Sequence, residues 1–442
     1  HLQVINQSGR QFLQKDIPDL FVDLSTVGEG YAADHLARLM EQEGISRASC
    51  PFFERRRVMR IIHARVFPMD APVIEDGYVD MRDGRIASIG LMADKPRDGS
   101  EELDAGGGWL LPGLIDAHSH IGMWEDGLGF EGDDGNEDTD PSTPQLRAVD
   151  AVNPQDRCFR EALEAGVTTV VTGPGSANPI GGQSVAMKTY GRRIDDMVIR
   201  APLAMKMALG ENPKTTYHGK NQAPVTRMAT AAVIREQLLA AGRYGQDKDR
   251  AAADPDVDEP EYDAKCEALL PVLRGELPVH FHAHRLDDIF TAVRLAKEFH
   301  LRFAIVHGTE GHRAADILAA EGVRVLCGPL LCDRSKPELR GLTPANPGLL
   351  YQAGVELAVI NDHPVIPQQY LALCAGLAVR EGLPYEAALE AVTLGPARIC
   401  GIDDRVGSIT PGKDADLVLF PGDPLTMAAK PSAVFAAGMR VV

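Results

Sequence analysis

The sequence predicts an α/β fold: a (β/α)8 TIM barrel with a small β-sandwich satellite domain assembled from both ends of the chain. Three observations predict it. Across residues 114–402, short apolar runs ending in polar residues alternate with longer helical patterns, the signature of βα units around a parallel sheet. Eight such runs can be counted, which favours a closed barrel over an open sheet. Short β-rich pieces flank that middle on both sides.

Taken in order, residues 1–57 form an N-terminal extension of unknown role, with a polar helix-like pattern at 32–43 and Cys50-Pro51-Phe52-Phe53 before three arginines. From residue 58 the pattern changes. MRIIHARVF and VIEDGYVDMRDGRIASIG read as strands separated by Asp-Gly turns, and DADLVLFPGDPL at Asp414 supplies matching β structure, so 58–112 and 405–442 are expected to share the satellite domain. Residues 113–404 are left for the barrel. Its strands are read as LIDA before His118, GVTTVVT from Gly166, SVAMK from Ser184, LAMKMAL from Leu203, VHFHAH from Val279, RFAIVH from Arg302, VRVLCG from Val323 and ELAVIN from Glu356. Amphipathic helices are expected at 286–299 and 313–321, the second closed by Gly322.

Composition narrows the function. The 442 residues are 44% hydrophobic and 24% charged, and no apolar run approaches the roughly 20 residues of a membrane helix. A net charge of −18 argues against a phosphate-backbone partner. Seven scattered cysteines indicate neither a disulfide framework nor a structural zinc site, and no signal-peptide pattern follows His1, so a cytoplasmic location is expected. The expected partner is a small-molecule substrate, with further copies of the same chain as an open option and neither nucleic acid nor membrane involved. Much of the acid excess falls at 125–140 and 247–263, read as solvated loops; alternatively, the first hangs over the active-site mouth and favours cationic substrates.

In a barrel, polar residues at the carboxyl ends of strands are read as functional first. LIDA ends in His118-Ser119-His120, RFAIV in His307 and ELAVIN in Asp362, while VHF runs into His282-Ala283-His284. Residues two apart on a strand point the same way, so His118 and His120 can face one ion. Alone that pair is weak evidence, but histidines ending strands five and six and an aspartate ending strand eight make coincidence a poor account.

PGLIDAHSH, HAHR at His282, IVHG at Ile305, INDHP at Ile360 and GSITPGKDADLVLF at Gly407 together resemble the amidohydrolase superfamily over residues 58–425, most similarly its imidazolonepropionase-like group. The resemblance implies a divalent metal, zinc above all, as one or two ions. His118, His120, His282, His307 and Asp362 match the metal ligands. Asp362 would also act as general acid/base on a metal-activated hydroxide, with His307 as the other catalytic residue. Members with two ions carry a carboxylated lysine or a glutamate on strand four; Lys206 is favoured here over Glu211, with Lys188 a weaker third. His280 reads as too deep in the barrel. His284 is expected at the substrate or behind a metal ligand, Asn178 and Gln183 of the loop GPGSANPIGGQS and His312 are expected at the substrate, and His218 reads as an exposed loop histidine. The implied activity is hydrolysis of a C–N bond in an amide or cyclic amide. The alternatives are a prolidase-like dipeptidase, an aminohydrolase (deaminase), and a scaffold without catalysis.

Overall fold

The computed structural model describes residues 2–7, 10–15 and 59–442. The chain divides into two compact units, His1–Arg57 and Val58–Val442. In the first, β1 (Leu2–Gln7) pairs antiparallel with β2 (Arg10–Lys15). The helical pattern at 32–43 and Cys50 lie outside the described residues.

The second unit opens with β3 (Met59–Val66), β4 (Ile74–Arg82), β5 (Arg85–Leu91), β6 (Glu101–Asp104) and β7 (Trp109–Pro112). The two Asp-Gly pairs behave differently. Asp83 and Gly84 take φ of 54° and 75°, as a two-residue type I′ turn between β4 and β5 requires. Asp76-Gly77 instead lies inside β4, and makes no turn.

Then follow β8 (Leu114–Ser119), β9 (Val167–Thr172), β10 (Ile180–Gln183), β11 (Val185–Lys188), β12 (Val198–Arg200), β13 (Met205–Ala208), β14 (Val279–Ala283), β15 (Phe303–His307), β16 (Val325–Cys327) and β17 (Leu357–Val359). The eight runs read as strands are all strands. β8 runs parallel to β9, and β13 through β17 are parallel in order. SVAMK, now β11, is the exception. It returns antiparallel on β9, because residues 173–184 between them carry the short strand β10 and no helix to make a parallel crossover.

The strands form two arcs, β12-β11-β9-β8 and β10-β13-β14-β15-β16-β17, and the described ladders do not close into a ring. Their free ends are tied by other bonds: the His120 amide donates to the His363 carbonyl (2.9 Å) and the Asn361 amide to Asp116 Oδ2 (3.1 Å). One set of alternate residues, including Met205, Phe281 and Val325, packs on helical residues such as Ile289 and Leu318. The other, including Ile115, Val306 and Ile360, packs on itself and on Ile399 and Ile402. The helices Leu286–Phe299 and Ala315–Ala320 occupy the expected segments, and Gly322 follows the second with φ +64°.

The chain ends in β18 (Leu417–Phe420), β19 (Ala433–Ala436) and β20 (Met439–Arg440). These join the opening strands in one sheet, order β20-β19-β18-β7-β3-β4-β5, with β6 on β3. That sheet belongs to the same compact unit as the arcs. No helix among the described residues is long and apolar enough to cross a membrane.

Candidate metal centre and cleft

The parallel strands deliver their histidines to one place. His118 is the last residue but one of β8 and His120 immediately follows the strand, with the side chains 4.9 Å apart at their ring centroids. Lys206 pairs with His280, and Ala208 with His282, so β13 and β14 present Lys206 and His282 on the same face as the register alternates. His307 and Asp362 depart from regular backbone, with φ of 76° and 58°. Positive φ at non-glycine residues costs about 1–3 kcal/mol each and recurs at functional sites.

Two overlapping clusters result. His118, His307 and Asp362 bring ligand atoms within 4.8 Å of one another, as do His282, His284 and His307. Asp362 Oδ1 lies 3.3 Å from Nε2 of both His118 and His120. It is buried without a hydrogen-bond partner among the described residues, and so is His282 Nε2. Lys206 Nζ sits 3.1 Å from His118 Nε2.

The opposite ring nitrogens are held from outside. His120 Nδ1 donates to the Gly173 carbonyl (2.7 Å) and His307 Nδ1 to the Gly328 carbonyl (2.8 Å), since a carbonyl can only accept. His284 Nδ1 contacts Thr309 Oγ1 at 2.7 Å. Fixing Nδ1 leaves the Nε2 lone pair facing the centre, the arrangement metal-binding histidines use.

Electrostatics follow from burial. It pushes His282, His284 and His307 well below the ordinary histidine range, keeping the imidazoles neutral. Burial, helped by Lys206, does the same to His118. Burial raises the Asp362 carboxyl, but His307 and the contacts with His118 and His120 outweigh it and hold that carboxyl well below its usual range. Burial lowers Lys206 to about 8, against a partial opposing effect of Asp362.

A cleft of about 740 Å³ opens onto these groups and is lined by His120, Lys206, His282, His307 and Asp362. Trp124, Glu125 and Asp126 also line it, so the start of the 125–140 segment forms the mouth rather than a remote loop. Gly175, Ser176 and Ala177 bring the glycine-rich loop to the same wall.

Other singled-out residues are placed differently. Glu211 lines the cleft, yet its Oε2 accepts from the Glu338 amide. Asn178 is buried between Glu137, Thr143 and Tyr217, Gln183 Nε2 donates to the Pro144 carbonyl, and His312 contacts Asn346; none of the three lines the cleft. Their side chains are taken up by residues 34–41 positions away in sequence, which local pattern does not reveal. Lys188 pairs with Asp414 and Asp416, away from the histidines. His218 is exposed on the helix Glu211–Gly219.

Two groups escaped the sequence reading. Glu338, 1% exposed, places Oε1 3.6 Å from Nε2 of both His282 and His284. It sits in the short 3-10 helix Pro337–Leu339 after β16, too brief for periodicity to mark it. Asp116, inside the apolar run LIDA, accepts from the His118 amide, the Asn361 amide and Gln368 Nε2 (3.1, 3.1 and 2.6 Å), and burial raises its carboxyl to about 7. A charge in the middle of an apolar strand was its available signal.

Residues 109–441 match the model of the amidohydrolase family. The chain belongs to that family. It is 34% identical over 389 residues to the amidohydrolase tasK of Hapsidospora irregularis, covering 83% of this chain but only 39% of tasK. It is 30% identical over 397 residues to the imidazolonepropionase of Aromatoleum aromaticum, covering 83% and 91% of the two chains. The crystal structure of an amidohydrolase from Thermotoga maritima superposes with a TM-score of 0.84 at 41% identity, covering 87% of this chain and 99% of that one. A 47-residue stretch, 11% of this chain, is 85% identical to the FAD:protein FMN transferase of Salmonella typhimurium, only 13% of that protein's length. This amidohydrolase is therefore a hydrolase.

Proposed function

We propose that this amidohydrolase is a metal-dependent hydrolase of a C–N bond in an amide or cyclic amide, working within a (β/α)8 barrel whose two arcs close around the site. One observation carries the reading: Asp362 Oδ1 stands 3.3 Å from two imidazole Nε2 atoms with no hydrogen-bond partner among the described residues. Ligands about 2.0–2.1 Å from a tetrahedral ion lie roughly 3.3 Å apart, so the spacing suits a zinc-like ion held by His118, His120 and Asp362. An orphaned buried carboxylate oxygen is otherwise costly, by about 1–3 kcal/mol.

A divalent ion held there supplies Lewis acidity and lowers the pKa of water it binds. The chain's residues do the rest. The Asp362 carboxylate takes a proton from the attacking water and returns it to the leaving nitrogen. Lys206, a buried amine, adds to carbon dioxide with loss of one proton, and the resulting carbamate replaces a cation that would repel the ion. Glu211 is the weaker bridging candidate, because its carboxylate is used on the Glu338 amide. Trp124, Glu125 and Asp126 at the mouth favour a substrate carrying a cationic or amine group.

The test has two parts. Metal analysis of the purified protein is expected to find at least one divalent ion per chain, and Asp362→Asn to lower kcat/KM by at least about 10³-fold on whichever amide, cyclic amide, dipeptide or amino-heterocycle a zinc-loaded screen identifies. A metal-free wild type, or undiminished turnover in the variant, would remove the proposal. Intact mass sorts Lys206: an added carbon dioxide is expected, and its absence assigns the lysine no carbamate.

A further inference from the structure

His363 follows Asp362 directly and lines the same cleft. In a neutral imidazole one ring nitrogen donates and the other accepts, and here the backbone settles which is which. The Gln368 amide donates to His363 Nδ1 at 3.2 Å, so Nδ1 carries the lone pair and Nε2 the proton. His120 and His307 are set the other way, donating through Nδ1 to carbonyls and keeping Nε2 bare. Both sides of the His363 contact are fixed from behind. Gln368 is fully buried, with Nε2 on Asp116 at 2.6 Å and Oε1 accepting from Ser119 Oγ at 2.8 Å, and the His363 carbonyl accepts the His120 amide at 2.9 Å.

The Nε2 of His363 makes no hydrogen bond among the described residues, and unlike His282 Nε2 it is not sealed from solvent. Other donors on the cleft wall are already spent: Trp124 Nε1 on Asp133, and Lys336 Nζ on Glu338 and Asn212. Glu125, Asp126 and Asp362 line the same cleft, and ionised carboxylates only accept. We propose that His363, through Nε2–H, donates a hydrogen bond to a carbonyl or carboxylate oxygen of the substrate and so holds the scissile bond against Asp362. The proposal rests on the hydrolytic reading of this cleft and deepens it: the substrate presents an acceptor oxygen to an uncharged donor whose direction the Gln368 amide fixes.

Two substitutions separate the two ring nitrogens. Asparagine sets its amide oxygen near the position of Nδ1 and has nothing at Nε2, whereas glutamine reaches the position of Nε2 with its amide nitrogen and leaves the Gln368 amide without its acceptor. The zinc-loaded full chain and both variants are compared on the amide, cyclic amide or dipeptide that turns over fastest in the screen above. His363→Asn is expected to lose about 10–100-fold in kcat/KM, carried by KM, and His363→Gln to stand at least about fivefold above it, with zinc content and thermal melts of both like those of wild type. NMR of isotope-labelled histidines in zinc-loaded wild type without substrate is expected to show His363 as the Nε2–H tautomer, its signal assigned by its loss in both variants. A His363→Asn enzyme as active as wild type, or more active than His363→Gln, would overturn the proposal, since the ring would then serve only to accept the Gln368 amide. The Nδ1–H tautomer would overturn it as well, and so would zinc lost from His363→Asn, which would make the residue a support of Asp362. Each of those results leaves the proposed function standing, whereas a wild type without metal or turnover defeats both.

Discussion

Asp116 shows what one buried carboxylate does beneath the centre. Its oxygens accept from the His118 amide, the Asn361 amide and Gln368 Nε2, and Gln368 in turn accepts from Ser119 Oγ at 2.8 Å. It thereby fixes the backbone at one proposed ligand and one residue before another. Asp116→Ala leaves three buried donors without an acceptor, each worth about 1–3 kcal/mol, so a loss of at least about 3 kcal/mol is expected in urea unfolding of zinc-free protein. Asp116→Asn should recover part of that loss, and equal stability of Ala variant and wild type would contradict the brace. At this scale the sequence was legible where chemistry follows period. His118 and His120 could be paired because strand side chains alternate. Glu338 could not be found, because it sits in a single 3-10 turn, Pro337–Leu339, too short to carry a periodic pattern. Asn178, Gln183 and His312 bond residues 34–41 positions away in sequence, partners that no local pattern shows.

Among the elements, strand ends do more than the strands themselves. The positions of all eight strands and the polar endings of four could be read from sequence, but their lengths could not, β16 and β17 being three residues each, and neither could the reversal of β11, since periodicity carries no direction. Nor could the carbonyls that aim the imidazoles: those of Gly173, just past β9, and Gly328, just past β16. Gly328 has little freedom to change. A Cβ there would stand 2.1 Å from the Ile360 carbonyl oxygen, a backbone atom that can move only with β17 and the Asp362 segment behind it. Gly328→Ala should cost about 1–3 kcal/mol by overpacking and weaken zinc binding by about 10–100-fold through the misdirected His307 ring. Gly322→Ala is the control. Its Cβ meets nothing within 4 Å, so only its positive φ is penalised, by about 1 kcal/mol, and zinc affinity should not change. Equal metal affinity in all three proteins would show that the Gly328 carbonyl does not orient His307.

Across the whole of residues 58–442, the terminal sheet shares no strand ladder with the arcs among the described residues and is bolted to them by charge. Lys188, at the end of β11, bonds both Asp414 and Asp416 beside β18, and Arg405 adds a 2.8 Å contact to Asp414. Both carboxylates are over nine-tenths buried. From sequence Lys188 is a weaker third candidate for the metal because it lies in the strand-like run SVAMK, and its acidic partners, more than 200 residues away, are at a separation that no local pattern spans. Burial raises the Asp414 carboxyl, but Lys188 and Arg405 outweigh it and hold it below its ordinary value of 3.8. A depressed folded pKa contributes stability above the unfolded value and loses it as pH falls through the folded one. Removing one partner of a buried ion pair typically costs about 3–5 kcal/mol, and Arg405 and Arg85 remain to Asp414, so Lys188→Met should lose about 3 kcal/mol at pH 7. In the variant the carboxyl protonates at a higher pH than in wild type. The stability gap should therefore be full at pH 7 and narrow as pH falls from about 5 towards 4. Denaturant unfolding at those three pH values measures it, and a gap that stays constant or widens with acid would refute the clamp as an ionic contact between the arcs and the terminal sheet.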